Sequence, residues 1–167
     1  IASAMLLYGM ALLYGVTGPT MLSEISASLQ ANGEQYRALL VLAMVLLIAG
    51  FGFKMAVVPF QMWVPDVYQG APTPVAAFLS VGSKAAAFAV VTRIFFEGLG
   101  ADFLSDDWSM IFAIIAAVSM TLGNLMAVVQ TDIKRMLGYS SVAQAGTFLI
   151  GLAAISVPGE RFDLGGS

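Results

Sequence analysis

Residues 50–74 read Gly50-Phe-Gly52-Phe-Lys54-Met-Ala-Val-Val-Pro59-Phe-Gln61-Met-Trp63-Val-Pro65-Asp66-Val-Tyr68-Gln-Gly70-Ala-Pro72-Thr-Pro74. Lys54 is the one charge between Arg37 and Asp66. Apolar residues flank it on both sides, so its four-carbon stem has little chance to carry the ammonium to a membrane edge. Pro59 removes a backbone N–H and clashes with the carbonyl of Met55. Two glycines, Gly50 and Gly52, loosen the helix just before the lysine. The stretch therefore predicts an apolar helix that kinks or breaks at Pro59. Freed backbone groups inside a bilayer are tolerated only in a protein interior or beside water. A broken helix beside a buried charge is a transporter-like feature, although a plain proline kink gives the same local pattern.

The rest of the chain places this helix in a membrane. Of 167 residues, 17 are charged, which is 10%; a soluble domain has about 25%. The apolar and aromatic set reaches 59%. That excludes a single soluble domain, which lacks the polar surface to cover its core, and it excludes intrinsic disorder. A net charge of −3 with no basic cluster gives no footprint for nucleic acid. Cys and His are both absent. Disulfides, thiol chemistry, zinc sites and His or Cys haem ligation are excluded with them. The opening Ile1, with no charge before Glu24, has no signal-peptide design, and the polar, Gly-rich end after Pro158 reads as a loop. Both ends predict an internal piece of a longer membrane protein.

Charges divide the chain into spans. Residues 1–23, 108–131 and 136–159 carry none, and Lys84 is alone between Asp66 and Arg93. Each run matches the ~20 residues that a membrane helix needs. The prediction is an all-α, polytopic transmembrane bundle, a single membrane domain over residues 1–167. It has about five spans: 1–17, 38–64, 73–96, 108–131 and 135–157. Thr17-Gly18-Pro19, the polar stretch from Ser23 to Gly33, and the acidic Gly98–Asp107 segment read as loops. Thr131-Asp132 is positioned to cap the last helix. Lys134 and Arg135 share a very short loop, where the positive-inside rule acts most strongly. It assigns the 64–73 and 131–135 loops to the cytoplasm.

Lys54 and Lys84 stand well inside apolar spans, and ionisable groups there mark function by default. A buried lysine can exchange a proton near neutral pH, because burial penalises its charged form. Both are candidates for a proton relay, the alternative being tolerated lysines in a packed interior. Gln61 and Gln144 are candidates for a water path, since a carboxamide needs partners. Ser140 and Ser141 read as helix-packing hydroxyls. Ala11-Leu-Leu-Tyr-Gly15 and Ser119-Met-Thr-Leu-Gly123 are small-xxx-small patterns of close helix contact. No carboxylate lies inside any span, so a lysine relay needs an acid from elsewhere.

The stretch from Gly52 to Pro74 resembles the signature of the antiporter-like membrane subunits of respiratory complex I. Its form Pro65-Asp-Val-Tyr-Gln-Gly-Ala-Pro72 is similar to the subunit N branch of bacterial-type NADH-quinone oxidoreductase. Gly123-Asn-Leu-Met-Ala-Val-Val-Gln130-Thr-Asp-Ile-Lys134-Arg135-Met-Leu-Gly138-Tyr-Ser140-Ser141-Val-Ala-Gln144 matches as well. The resemblance implies a piece of a fourteen-helix antiporter-like fold built from inverted repeats, each with a broken helix. It implies that Lys54 is the lysine of the first broken helix, paired with a glutamate upstream of Ile1, and that Lys84 is the connecting lysine. It implies a proton-translocating membrane subunit. No cofactor is expected in this chain, and NADH, FMN, iron–sulfur clusters and quinone are expected in other subunits. The implied partners are other membrane-arm subunits and the lipid bilayer, with no nucleic acid, in a bacterial plasma membrane. Many members carry histidine at Gln61 and Gln144. A carboxamide orients water but does not relay a proton as imidazole does, so a path here would be water-mediated. A cation/proton antiporter subunit and a transport-inactive scaffold are the alternatives.

Overall fold

The computed structural model describes residues 1–155. They form apolar helices α1 (Ala2–Thr17), α2 (Leu22–Asn32), α3 (Arg37–Met55), α4 (Val64–Gly70), α5 (Thr73–Phe78), α6 (Lys84–Arg93), α7 (Asp102–Val128) and α8 (Ile133–Ile155). A short 3-10 turn at Gly33–Tyr36 joins α2 to α3. Two π-helical turns, Leu79–Ser83 and Ile94–Gly98, carry α5 and α6 as one helix from Thr73 to Gly98. Four stretches are long and apolar enough to cross a membrane: Leu22–Met55, Thr73–Gly98, Asp102–Val128 and Ile133–Ala154. Ala2–Thr17 is a shorter apolar helix. The sequence from Pro158 onward lies outside the described residues.

Three stretches read as loops hold helix, and one of them, 64–73, holds α4 behind Pro65 in its first turn. Ser23–Gly33 falls almost wholly in α2, because Leu22, Ile25 and Leu29 recur at helical spacing among its polar residues. Ile25 and Leu29 are buried, and α2 packs on the turn Ile94–Gly98. The acidic segment ends early, since α7 already begins at Asp102. Asp107 there pairs with Arg37 of α3 at 3.0 Å.

The bundle is assembled mainly by α1 on α3 and α7 on α8. Ser119 and Gly123 lie on the α7 face against α8. A Cβ at Gly123 would stand 2.7 Å from the Ala143 backbone nitrogen. The other small-residue pattern makes no close contact among the described residues: Ala11 and Gly15 are exposed, and no described residue lies near a Cβ at Gly15. Gly9 makes the α1–α3 approach instead, 3.0 Å from the Ala43 carbonyl by the same measure.

The α3 helix ends at Met55, followed by Ala56 in the left-handed region at φ 60° and by a cis Val58–Pro59 bond. The chain resumes with a 3-10 turn at Gln61–Trp63 that leads into α4. The break exposes backbone groups that must find partners in a membrane interior. The Val58 N–H donates to the buried Ser119 hydroxyl of α7 at 3.0 Å. The Trp63 indole N–H donates to the Phe53 carbonyl at 3.1 Å. Ser119→Ala leaves the Val58 N–H without its partner. It is expected to destabilise the full-length protein by about 1–3 kcal/mol, read as a lower unfolding temperature in detergent. An unchanged midpoint would show that the bond adds nothing.

Candidate functional site

Lys54 stands in the last turn of α3. There the unpaired carbonyls of a helix C-terminus carry partial negative charge and favour a cation. The side chain is exposed on this chain's surface and makes no hydrogen bond or ion pair among the described residues. Pro59 lies within the break, where α3 has ended and α4 has not begun. Gln61 opens the turn beyond it, and its buried Oε1 has no partner among the described residues. This end of the molecule therefore gathers a cation, a helix terminus and an unsatisfied acceptor. Burial, the property expected of Lys54, is absent from the chain as it stands.

The second cluster is a cleft of about 650 Å³ between α4, the α5–α6 helix and α8. Its polar lining includes Tyr68, Ser80, Lys84, Lys134, Ser140, Ser141 and Gln144, against apolar walls that include Val81, Phe88 and Phe148. Lys84 is 7% exposed and is the one buried charged side chain among the described residues. Its Nζ donates to the Ser141 carbonyl at 2.7 Å and to the Ser141 hydroxyl. Lys84 follows directly on the π turn Leu79–Ser83. Such wide turns recur at functional sites because they interrupt the regular backbone bonding of a helix.

One face of α8 supplies the opposite wall. Lys134, Leu137, Ser141, Gln144 and Phe148 recur every three or four residues and so point the same way. At 1.5 Å per residue, Gln144 lies roughly 15 Å along the axis from Lys134, about half the thickness of a bilayer core. The polar face thus runs from the helix start to mid-membrane depth. Its outer end is pinned. Lys134 Nζ donates to the Ala71 carbonyl at 3.1 Å. Asp132 Oδ1 accepts from the Lys134 and Arg135 N–H groups at 2.8 and 3.0 Å. Arg135 reaches back to Asp66 and Gln69 of α4.

Of the residues singled out in the sequence, Lys84 and Gln144 meet in the cleft. Lys54, Pro59 and Gln61 lie at the break and do not line it. Ser141, first read as a packing hydroxyl, is the partner of Lys84. Tyr68, Ser80 and Lys134 also face the cleft. Lys134 was visible only as a topological marker, and nothing local sets Tyr68 apart from other interfacial tyrosines. No group of three or more Asp or Glu side chains comes together to hold a metal among the described residues.

Comparison with known proteins extends these observations. The family described as NADH:quinone oxidoreductase/Mrp antiporter, TM, matches residues 1–162. The chain is 54% identical over 160 residues to NADH-quinone oxidoreductase subunit N 2 of Symbiobacterium thermophilum, covering 92% of this chain and 32% of that protein. It spans about a third of the length of the curated relatives it matches. Among solved structures, it is similar to a chain of respiratory complex I from Thermus thermophilus with bound aureothin. The TM-score is 0.73 at 43% identity, over 90% of this chain and 31% of that one. A chain of the Mrp complex from Dietzia sp. DQ12-45-1b is similar in fold, with a TM-score of 0.77 at 27% identity over 91% and 27% of the two chains. The transmembrane family and the four long apolar stretches agree on an integral, multi-pass membrane protein.

Proposed function

The chain belongs to the NADH:quinone oxidoreductase/Mrp antiporter transmembrane family, and on that premise we propose that it is part of a proton-translocating subunit, of the subunit N type, in a bacterial NADH-quinone oxidoreductase. The observation that carries this function is Lys84: a buried ammonium on α6, held by a carbonyl and a hydroxyl of the α8 face that reaches mid-membrane depth. Neutral acceptors solvate a lysine without locking its charge as a carboxylate would. Lys84 passes charge laterally within the membrane. Lys54 takes up and releases a proton as its pairing changes with a glutamate from the part of the subunit before Ile1. Gln61 and Gln144 orient waters along the way. The orphaned Gln61 Oε1 fits that role, because a buried acceptor without a protein partner is commonly met by water.

Electron transfer belongs to other subunits, which hold the nicotinamide, FMN, iron–sulfur clusters and quinone. The chain lacks the Cys and His that cluster or haem ligation would require. Its setting is the bacterial plasma membrane, against lipid and neighbouring membrane-arm subunits, with the connections at 64–73, which holds α4, and at 131–135 on the cytoplasmic side. A cation/proton antiporter subunit is the second possibility, supported by the fold similarity to the Mrp chain. Sequence favours the oxidoreductase, at 43% identity against 27%.

The test is Lys54→Ala in the full-length subunit of an assembled complex in proteoliposomes, with NADH oxidation and proton uptake measured together. Uptake is expected to collapse while assembly stays normal. Unchanged uptake per NADH would favour a transport-inactive scaffold.

A further inference from the structure

Tyr68 has no part in the relay described so far, yet it is placed to act on it. It is 4% exposed, its hydroxyl is shielded from solvent, and it lines the same cleft as Lys84. That hydroxyl closes no hydrogen bond of normal geometry, although the Ser141 side chain lies within its reach. Ser141 in turn touches Lys84 through both its carbonyl and its hydroxyl. Tyr68 comes from α4, Lys84 from α6 and Ser141 from α8. Three helices therefore bring one amine and two hydroxyls to one cleft.

We infer that Tyr68 and Ser141 are positioning residues for Lys84, a hydroxyl pair that serves the lysine in both of its charge states. The inference rests on the proton-translocating function proposed above. A hydroxyl has one proton to give and two lone pairs to accept with. When Lys84 is an ammonium, it donates to Ser141 Oγ, and the Ser141 proton turns towards Tyr68 Oη. When Lys84 has lost its proton, its nitrogen gains a lone pair. Ser141 then turns its proton back to Nζ, and Tyr68 donates to Ser141 Oγ. Neither hydroxyl gains or loses a proton: both rotate, and the one proton that leaves or returns does so at Nζ. The Ser141 carbonyl accepts an N–H in either state. The other titratable group lining the cleft is Lys134, from α8, whose Nζ is held at the Ala71 carbonyl.

Tyr68→Phe tests this in the full-length subunit of the assembled complex, because it removes the hydroxyl and keeps the ring. Ser141→Ala and Ser141→Thr accompany it, with Lys84→Ala as the reference. Proton uptake per NADH is followed across pH in proteoliposomes. Removing an acceptor from the ammonium favours the neutral amine. The alkaline limb of the uptake profile is therefore expected to move about one pH unit lower in Ser141→Ala. A smaller displacement in the same direction is expected in Tyr68→Phe. Ser141→Thr, which keeps the hydroxyl, restores the limb. A purely structural role would lower assembly and leave the limb in place. If Lys84→Ala abolishes uptake but Tyr68→Phe and Ser141→Ala keep the wild-type profile, the hydroxyl pair is wrong and the proposed function stands. If Lys84→Ala itself pumps normally, both fall together.

Discussion

Lys84→Arg is expected to stop proton uptake as completely as Lys84→Met, in an assembled complex that still oxidises NADH. The two substitutions separate two meanings of a buried cation. Methionine keeps an unbranched chain one atom shorter and removes the charge. Arginine keeps the charge but does not release a proton in a protein. If Lys84 acted only as a fixed positive charge, Arg would preserve function and Met would not. A group that must give up its proton fails both ways. The fold should tolerate Met, because the change also removes the desolvation cost of a buried charge. The Ser141 hydroxyl that loses its partner still has Tyr68 within reach. Arg is the harsher change, since its planar fork must fit beside Ser141 in a site shaped around one nitrogen. An unchanged content of assembled complex is therefore read first in Met, and loss of uptake is then compared in both. Wild-type uptake in Lys84→Arg would assign Lys84 a fixed electrostatic role and remove it from the proton path.

What the sequence disclosed of this site follows from how each feature is encoded. Pro59 and the paired glycines act on their own backbone, so the break could be read locally, as could the Asp132 cap. Charge-free runs of membrane length are likewise local. The α2 helix is hidden because its three large apolar residues are interspersed with Ser23, Glu24, Ser26 and Ser28, which lower the mean without disturbing the period. The Lys84–Ser141 contact joins residues 57 apart. No periodicity in one helix states which residue of another it will meet. The surroundings of Lys54 are not legible in the sequence for a different reason. Position within an apolar run predicts depth in the membrane, but it does not say which face of the helix is covered, and in this chain that face is open. Tyr68 carries no local mark, because a tyrosine at a helix end has an ordinary interfacial explanation. Its significance comes only from the cleft.

Gly123→Leu is expected to prevent the α7–α8 pair from forming and to remove the subunit from the assembled complex. Membrane helices gain little from burying apolar surface against one another, so close backbone packing between small residues carries much of their association. At Gly123 even a single added carbon would sit 2.7 Å from a backbone nitrogen and 3.0 Å from the Cα of Ala143. Neither atom can rotate away, so the helices themselves must part. Gly146 makes the reciprocal approach from α8, where an added carbon would lie 2.9 Å from the Ala116 carbonyl. Relief at one site is therefore resisted at the other. Overpacking in a dense core costs about 1–3 kcal/mol, and a clash with immobile backbone on both sides belongs at or above the top of that range. The damage spreads by geometry. Ser119 lies one turn before Gly123 on the same face, so displacing α7 also stretches its bond to Val58 at the helix break. Separating α8 withdraws Ser141 from Lys84. Gly15→Ala is the matched comparison: nothing lies within 4 Å of a Cβ there, and replacing glycine inside a helix gains about 0.5–1 kcal/mol. The same glycine-to-alanine change is thus expected to lower the unfolding temperature of the full-length subunit at position 123 and to leave it level or raise it at position 15. Equal effects at the two sites would mean that helix propensity, and not the α7–α8 seam, sets the stability of this bundle.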